Sequence, residues 1–340
     1  MTKKLFIVCA VFVWSVALVA QNIAVVSPSG STIMCKTLTQ AVDTAAAGSV
    51  IYLPGGGFPI SDNVKITKKL TIIGIGHKAK NGNADGITTI NGNLFFNEGS
   101  SGSAVMGCYI TGNVNIGEGG AVVDDVLVKY CNLNSVQVCN SICQGTAVNQ
   151  NYIRSTSGFS ESSALINNNV LHSLNRLNGG TISKNIILGE FKNGITNGDY
   201  EYSCIVASNS SILNNIVTLT PWASQGWVWH YHERLRGTNN SVDSNLATTN
   251  FGDNTIAIAD VSWEDFFVNY NGGAISPSSN FHFKEEYKQY ENTVGVYADG
   301  VKFDKQLAPV PYIVAKKIDE QTDAAGRLNI KIRVKASGEE

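Results

Sequence analysis

The segment 221–236, with the sequence PWASQGWVWHYHERLR, concentrates the side chains of this chain that could recognise a ligand. Indole rings offer flat faces on which sugar rings can stack, and imidazole, carboxylate and guanidinium groups can hydrogen-bond sugar hydroxyls or carboxylates. We therefore predict a glycan-binding surface in this segment. Its candidate residues are Trp222, Trp227, Trp229, His230, His232, Glu233, Arg234 and Arg236. The alternative interpretation is that the aromatic residues pack on the body of the protein and anchor a long loop.

Carboxylates are too sparse in the centre of the chain to predict a catalytic site. A calcium-dependent lyase needs several Asp or Glu on one face, and a glycosidase needs two carboxyls about 5–9 Å apart. Asp124 and Asp125 are adjacent, and adjacent residues of a strand point to opposite faces. Asp260 and Glu264 would have to converge with Glu233 from separate loops. The catalytic residues are thus unassigned, and we predict no metal or cofactor unless the protein is a lyase that uses calcium.

A six-residue pattern recurs between Val105 and Ala247: apolar, any, any, Cys or Asn, any, apolar. Its units begin at intervals of 23, 20, 18, 16, 30 and 30 residues. A recurrence of this kind marks a solenoid, in which each unit buries its apolar face only by stacking on its neighbours. The fourth position of the successive units is occupied by Cys108, Cys131, Asn151, Asn169, Asn185, Asn215 and Asn245.

The composition of the units indicates strands, because they are rich in Val, Ile and Asn, punctuated by Gly, and lack a helical stripe. We predict an all-β fold, a single-stranded right-handed parallel β-helix whose turns accept the uneven spacing. The Asn side chains should stack in an internal row about 4.8 Å apart and exchange amide hydrogen bonds. They should also adopt the left-handed conformation of a tight turn. The two Cys should be buried free thiols.

The first 20 residues are typical of a secretory signal peptide. Lys3 and Lys4 precede an apolar run over residues 5–19, and Ala20 is a small residue before the expected cleavage site. We predict that the mature protein is secreted, periplasmic or at the cell surface, with no transmembrane segment after cleavage. The net charge of -2, with only 15% charged residues, gives no reason to expect a nucleic-acid partner. The oligomeric state is left open.

The β-helix is expected to occupy residues 21–308 and to have distinct ends. Residues 37–47 form one apolar stripe that includes Leu38 and Val42, which predicts a short helix capping the first coil. Residues 309–340 alternate like paired strands and predict a hairpin-like tail. The group Trp263, Glu264 and Asp265 is assigned to the C-terminal closure of the coil.

Two stretches near the N-terminus, AAAGSVIYLPGG and VKITKKLTIIGIG, resemble the start of secreted bacterial right-handed β-helix proteins of the pectin-lyase-like superfamily. Residues 292–312 resemble the segment that closes such helices, so the resemblance covers most of residues 36–313. It implies the fold but not one activity, because that superfamily contains polysaccharide lyases, glycosidases and members of unknown role. Three functions are therefore open. They are a non-catalytic protein that binds a glycan or another cell-surface partner, a polysaccharide lyase or glycoside hydrolase, and a structural or adhesive surface module.

Overall fold

The computed structural model describes residues 22–59, 63–78, 86–140, 142–159, 163–188, 203–217, 233–247, 251–258, 263–270, 275, 278–303, 312–318, 321–322, 326–328 and 330–335. Its helices are α1 (Leu38–Thr44) and α2 (Trp263–Phe266), with short 3-10 helices at Glu118–Gly120, Glu285–Tyr290 and Ala298–Gly300. The strands of the first half are β1 (Ile23–Val26), β2 (Thr32–Cys35), β3 (Ser49–Leu53), β4 (Gly56–Pro59), β5 (Val64–Ile66), β6 (Leu70–Gly74), β7 (Thr88–Asn91), β8 (Leu94–Phe96), β9 (Ala104–Met106), β10 (Tyr109–Ile116), β11 (Leu127–Lys129), β12 (Asn132–Val138), β13 (Ala147–Asn149), β14 (Tyr152–Ser157) and β15 (Leu165–Asn167). The strands of the second half are β16 (Val170–Asn178), β17 (Thr181–Ser183), β18 (Ile186–Ile187), β19 (Ser203–Ser208), β20 (Ser211–Leu213), β21 (Ile216–Val217), β22 (Glu233–Arg236), β23 (Ser241–Asp243), β24 (Leu246–Ala247), β25 (Ile256–Ala257), β26 (Phe267–Asn269), β27 (Asn280–Phe283), β28 (Tyr312–Ile318) and β29 (Ile330–Lys335).

Two long sheets, parallel except at the N-terminal edge, form the body of the described protein. The first sheet has the order β2-β1-β3-β6-β9-β11-β13-β15-β17-β20-β23, and the second runs from β25 through β24, β21, β18, β16, β14, β12 and β10 to β7 and β4. The chain alternates between the two sheets, and each strand pairs with the strand one coil later. For example, β11 pairs with β13 in the first sheet and β12 pairs with β14 in the second. This topology is consistent with the predicted β-helix-like solenoid.

The interior between the sheets is filled by the two apolar positions of the repeated pattern. Residues at both positions lie in one hydrophobic core, with those of the first position in the first sheet and those of the sixth in the second. The shortest interval of the pattern still closes a full coil. Strand β16 extends over nine residues, and β15 and β17 on either side of it pair directly in parallel. A long strand and short turns therefore replace the loops of the larger coils.

The five predicted ladder asparagines form a continuous internal row of hydrogen bonds. In each of the first four, Nδ2 donates to Oδ1 of the Asn in the next coil at 2.9–3.0 Å. The same Oδ1 accepts the backbone N–H of the preceding Asn at 2.8–3.0 Å. Each Nδ2 also donates to a carbonyl of the preceding coil at 2.8–2.9 Å. The predicted row is confirmed, and its buried amides are paired with one another and with the backbone.

The left-handed conformation falls on the residue before each ladder position, so the prediction that the ladder Asn adopts it is wrong. The residues with positive φ are Gly107, Tyr130, Gln150, Asn168, Lys184, Asn214 and Ser244. The backbone N–H of each non-glycine member donates to a carbonyl of the following coil, such as Lys184 to Leu213. The turn therefore lies inside the hydrogen-bonded ladder, and its left-handed residue orients the next side chain inward.

Cys108 and Cys131 occupy the first two positions of the internal row, as predicted, and both are buried free thiols. The backbone N–H of Cys131 donates to Oδ1 of Asn151 at 2.8 Å. Its Sγ lies 3.3 Å from the carbonyl of Lys129 and 3.8 Å from that of Val105, positions that match the carbonyl partners of the asparagines. Burial raises the pKa of the Cys131 thiol to about 12 and also raises the pKa of Cys108. Both side chains therefore act as neutral, weakly hydrogen-bonding substitutes for the amides.

The coil continues past the last unit of the pattern. Ile256 and Ala257 in β25 pair with Leu246 and Ala247, which places Thr255 beside Asn245 in the internal row. The preceding residue, Asn254, has a φ of 46°, as the turn requires. The six-residue pattern misses this coil because Thr replaces Asn at its fourth position.

The described residues between 263 and 303 form a flanking layer on the outer face of the second sheet. Buried Phe residues of this layer pack with the outward-facing Val170, Ile186 and Ile216. The Trp263 ring stacks on Phe267 at 5.4 Å between centroids, so Trp263 belongs to this layer. The layer thus covers the side of the coil.

The left-handed turn residues hold the flanking layer. Asn168 Nδ2 donates to the carbonyl of Val296 at 3.2 Å, and Lys184 forms an ion pair with Asp299. The N–H of Gly295 donates to the carbonyl of Asn214 at 2.9 Å. A Cβ at Gly295 would lie 2.7 Å from Ile216 Cδ1, and the φ of Gly295 is +73°, so glycine permits this close approach.

The ends of the chain carry the two smaller predicted elements. Thr37 caps α1 by accepting the N–H of Gln40, and the buried face of α1 contacts β1, β2 and β5. The helix ends at Thr44, earlier than predicted, because Ala45 is extended. Strands β28 and β29 pair in antiparallel fashion as the predicted hairpin. Among the described residues, no helix is both long and apolar enough to cross a membrane.

We expect Asn185→Leu to lower the free energy of unfolding by about 1–3 kcal/mol, because it removes hydrogen bonds from buried groups. The N–H and Nδ2 of Asn169 would both lose their acceptor, and the carbonyl of Ile166 would lose a donor. Equilibrium unfolding in urea measures the difference.

The matched control is Cys131→Asn, which extends the amide row by one coil. Its amide can donate to the carbonyls of Lys129 and Val105 and to Oδ1 of Asn151, so stability should equal or exceed that of the parent. A loss as large as that of Asn185→Leu would contradict the assigned role of the row.

Glu291 joins three parts of the flanking layer, and its charge should make the layer sensitive to acid. Its Oε1 lies 2.7 Å from Lys288 Nζ and 2.9 Å from His282 Nδ1, and its Oε2 accepts the N–H of Phe283 at 2.7 Å. Burial favours the neutral acid, but the hydrogen bonds from Lys288, Phe283 and His282 outweigh it and hold the pKa of Glu291 below its ordinary value.

A depressed pKa stabilises the fold above the unfolded-state pKa of about 4.3 and loses that effect as the pH falls through the folded-state pKa. Glu291→Gln should therefore melt below the parent near neutral pH, and the gap should close at strongly acidic pH. Thermal unfolding followed by circular dichroism at both pH values tests this. A gap of equal size at both would show that the charge is unimportant.

Candidate functional site

Most of the predicted glycan-binding surface lies outside the described residues. Trp222, Trp227, Trp229, His230 and His232 all belong to the segment 218–232, of which nothing is described. The predicted surface is therefore still a prediction for these five residues.

Glu233, Arg234 and Arg236 lie in strand β22, which is part of the coil. This strand pairs in parallel with β19, with Ser203 opposite Glu233 and Val206 opposite Arg236. Leu235 packs against the hydrophobic core, and Arg236 is exposed. The C-terminal end of the aromatic segment is thus fixed to the solenoid by backbone hydrogen bonds.

The aromatic segment is attached beside another long segment of the chain. Strands β18 and β21, which precede the segments 189–202 and 218–232, pair through Ile187 and Val217. Strands β19 and β22, which follow them, pair through Ser203 and Glu233. Because paired strands lie about 4.8 Å apart, the two segments leave and re-enter the coil at the same turn of successive coils.

A groove of about 280 Å³ lies on the outer face of the second sheet, and we call it the sheet groove. Three neighbouring strands, β12, β14 and β16, contribute its floor, and the flanking layer contributes one wall. The lining residues are Asn132, Leu133, Tyr152, Ile153, Arg154, His172 and Ile275.

Strand alternation and register bring the polar residues of the sheet groove together. Tyr152 and Arg154 flank the inward-pointing Ile153, so both lie on the outer face of β14. Ile153 pairs with Leu171 and Ser155 with Ser173, which places Arg154 directly beside His172 on β16. The guanidinium and imidazole groups thus come from adjacent strands.

Packing holds Tyr152 in the wall of the sheet groove. Its ring centroid lies 5.4 Å from that of His77 and 5.0 Å from that of Phe303, both in edge-to-face geometry. The residue is only 4% exposed. A ring held from two sides in this way has little rotational freedom, so the groove has a fixed shape.

The sequence analysis missed the sheet groove, although one signal for it exists. Arg154 and His172 each follow a ladder asparagine, Asn151 or Asn169, by three residues, and so occupy equivalent outward positions in successive coils. Ile275 carries no such signal, because it belongs to the flanking layer and not to the repeat.

The acidic residues considered for catalysis have other surroundings where they are described. Asp124 Oδ1 accepts the N–H of Gln144 at 2.7 Å, and Asp125 adopts a φ of 58°, so this pair serves a turn. Glu264 and Asp265 are exposed on α2. Asp260 lies outside the described residues, so the convergence of Asp260, Glu264 and Glu233 remains a prediction. No cluster of three or more His, Cys, Asp or Glu among the described residues could hold a metal ion.

Comparison with known proteins found no match: no family model fits the chain, and no curated protein or solved structure is detectably similar to it. A function must therefore be argued from the coil, the sheet groove and the attachment of the aromatic segment.

Proposed function

We propose that this chain is an exported right-handed parallel β-helix protein of the pectin-lyase-like type that binds a glycan without transforming it. The attachment of the aromatic segment carries the proposal. Residues 218–232 leave and re-enter the coil beside residues 189–202, on strands that are hydrogen-bonded to one another. A recognition segment on such a base is held at both ends by a rigid scaffold, which is where binding residues concentrate in proteins.

The chemistry of the segment favours sugars over other ligands. Three of the five Trp of the chain lie within 221–236. Trp227 and Trp229 provide stacking faces, and His232, Glu233 and Arg234 provide directional hydrogen bonds to hydroxyls or carboxylates. Binding of this kind requires no metal ion.

General topology supports the handedness and the ends of the proposed coil. Connections between parallel strands of one sheet are right-handed in nearly all proteins. Helix α1 buries Leu38 and Val42 at the N-terminal end, where a solenoid must cover its first coil. Export follows from the signal-peptide pattern of residues 1–20, which lie outside the described residues.

A glycoside hydrolase is the second candidate, because the segment attached beside Glu233 is rich in carboxylates. Residues 189–202 include Glu190, Asp199 and Glu201. Two carboxyls about 5–9 Å apart would suffice for hydrolysis. Release of reducing sugar from a glycan that the protein binds would favour this candidate over the non-catalytic one.

We expect Trp227→Ala combined with Trp229→Ala to abolish glycan binding on an array of immobilised glycans. The free energy of unfolding should stay within about 1–2 kcal/mol of the parent, because the loop is not part of the core. The matched control combines Tyr52→Ala with Tyr109→Ala, which removes two partly exposed aromatic rings elsewhere on the coil and should preserve binding.

Two outcomes would contradict the proposal. If the double Trp variant unfolds, the indole rings are structural anchors. If it binds as well as the parent, the glycan site lies elsewhere.

A further inference from the structure

We propose that the sheet groove binds a small sugar-sized ligand through a negatively charged oxygen group, either a carboxylate or a phosphate ester. This second site is independent of the segment 221–236. It lies on three regular strands of the coil and on the flanking layer, and every residue that lines it belongs to the described part of the chain.

The charge of the sheet groove selects the ligand. Arg154 is exposed at the groove, and none of the seven lining residues is acidic. A guanidinium is always protonated and presents paired N–H donors that match carboxylate and phosphate oxygens. The chain as a whole has a net charge of -2, so this positive site does not reflect a generally basic surface.

The neighbours of Arg154 supply the remaining polar contacts. His172 lies beside it on β16, and Asn132 lies beside Tyr152 on β12. With strands about 4.8 Å apart, the three polar side chains span roughly 10 Å across the sheet, which suits an anion and ring hydroxyls on one small molecule. An imidazole offers one donor and one acceptor when neutral, and an amide offers both kinds of group.

The shape of the sheet groove limits the size of the ligand and favours a ring. A volume of about 280 Å³ lies at the low end of the range for small-molecule sites. Ile275 gives an apolar wall for the C–H face of a ring, and Tyr152 is held in place by His77 and Phe303. Because these residues are fixed before binding, little ordering of the protein is needed.

The test is isothermal titration of the full chain at low ionic strength with glucuronate, glucose 6-phosphate and glucose. At least one anionic sugar should bind at least about tenfold more tightly than glucose, because charge-assisted hydrogen bonds add to the ring contacts. Binding of glucuronate alone identifies a carboxylate site, and binding of glucose 6-phosphate alone identifies a phosphate site. Equal affinity for all three, or no binding of either anion, would overturn the proposal.

Variants assign the binding to the sheet groove. Arg154→Gln should weaken binding of the anionic sugar about tenfold or more, and Arg154→Lys should fall between it and the parent because the charge stays and the fork is lost. The matched control is Arg176→Gln, an exposed Arg near the other end of β16, which should bind like the parent. Indistinguishable affinities for Arg154→Gln and Arg176→Gln would refute the site.

Two measurements separate this proposal from its neighbours. Thermal unfolding of each variant shows whether the coil is intact, and Arg154→Lys serves if Arg154→Gln does not fold. The double variant of Trp227 and Trp229 should keep the affinity for the anionic sugar, because that site does not include the aromatic segment. Loss of this binding in the double Trp variant would place the anion site in the segment and contradict the proposal.

Discussion

The buried amide row is the interaction on which the coil depends. A solenoid of parallel strands must turn the chain at each corner, and the corner exposes backbone N–H and C=O groups to an apolar interior. Here the ladder side chains satisfy those groups. Each Oδ1 accepts both a side-chain and a backbone donor, and each Nδ2 reaches a carbonyl of the coil before it, as Asn185 does with Ile166. Because every asparagine completes the bonding of its neighbours, the coils become interdependent and their spacing is fixed along the whole row.

The same turn also connects the coil to the flanking layer. The left-handed residue places the ladder side chain inside and its own side chain outside. At Asn168 and Lys184 that outward side chain binds the flanking layer, and at Asn214 the backbone carbonyl does so. One short turn therefore joins the interior row to the aromatic residues that cover the second sheet. A change at such a turn affects both surfaces at once, which couples the stability of the layer to that of the coil.

The extent to which the sequence predicts this structure follows from how local each constraint is. The ladder positions and the two apolar positions could be predicted because burial imposes them in every coil. The left-handed residue could not be located, because Tyr130, Gln150 and Lys184 share no chemical property that would mark it. The sheet groove was missed because Ile275 reaches it only through tertiary packing. Thr255 was missed because a hydroxyl replaces the amide in the last coil. The aromatic segment carries a compositional signal for function, but composition does not determine where its rings lie.

The internal row leaves the outward positions and the turn lengths free, and those are the places where recognition can be built. Coil lengths vary from 16 to 30 residues between ladder asparagines without breaking the row. An insertion therefore lengthens the loop and leaves the register of the strands unchanged. Outward residues such as Arg154 and His172 take their separation from the strand spacing that the buried amides impose. A ligand that binds across several strands thus meets groups whose distances are set before it arrives, and the rigidity that the amides give the interior becomes preorganisation on the surface.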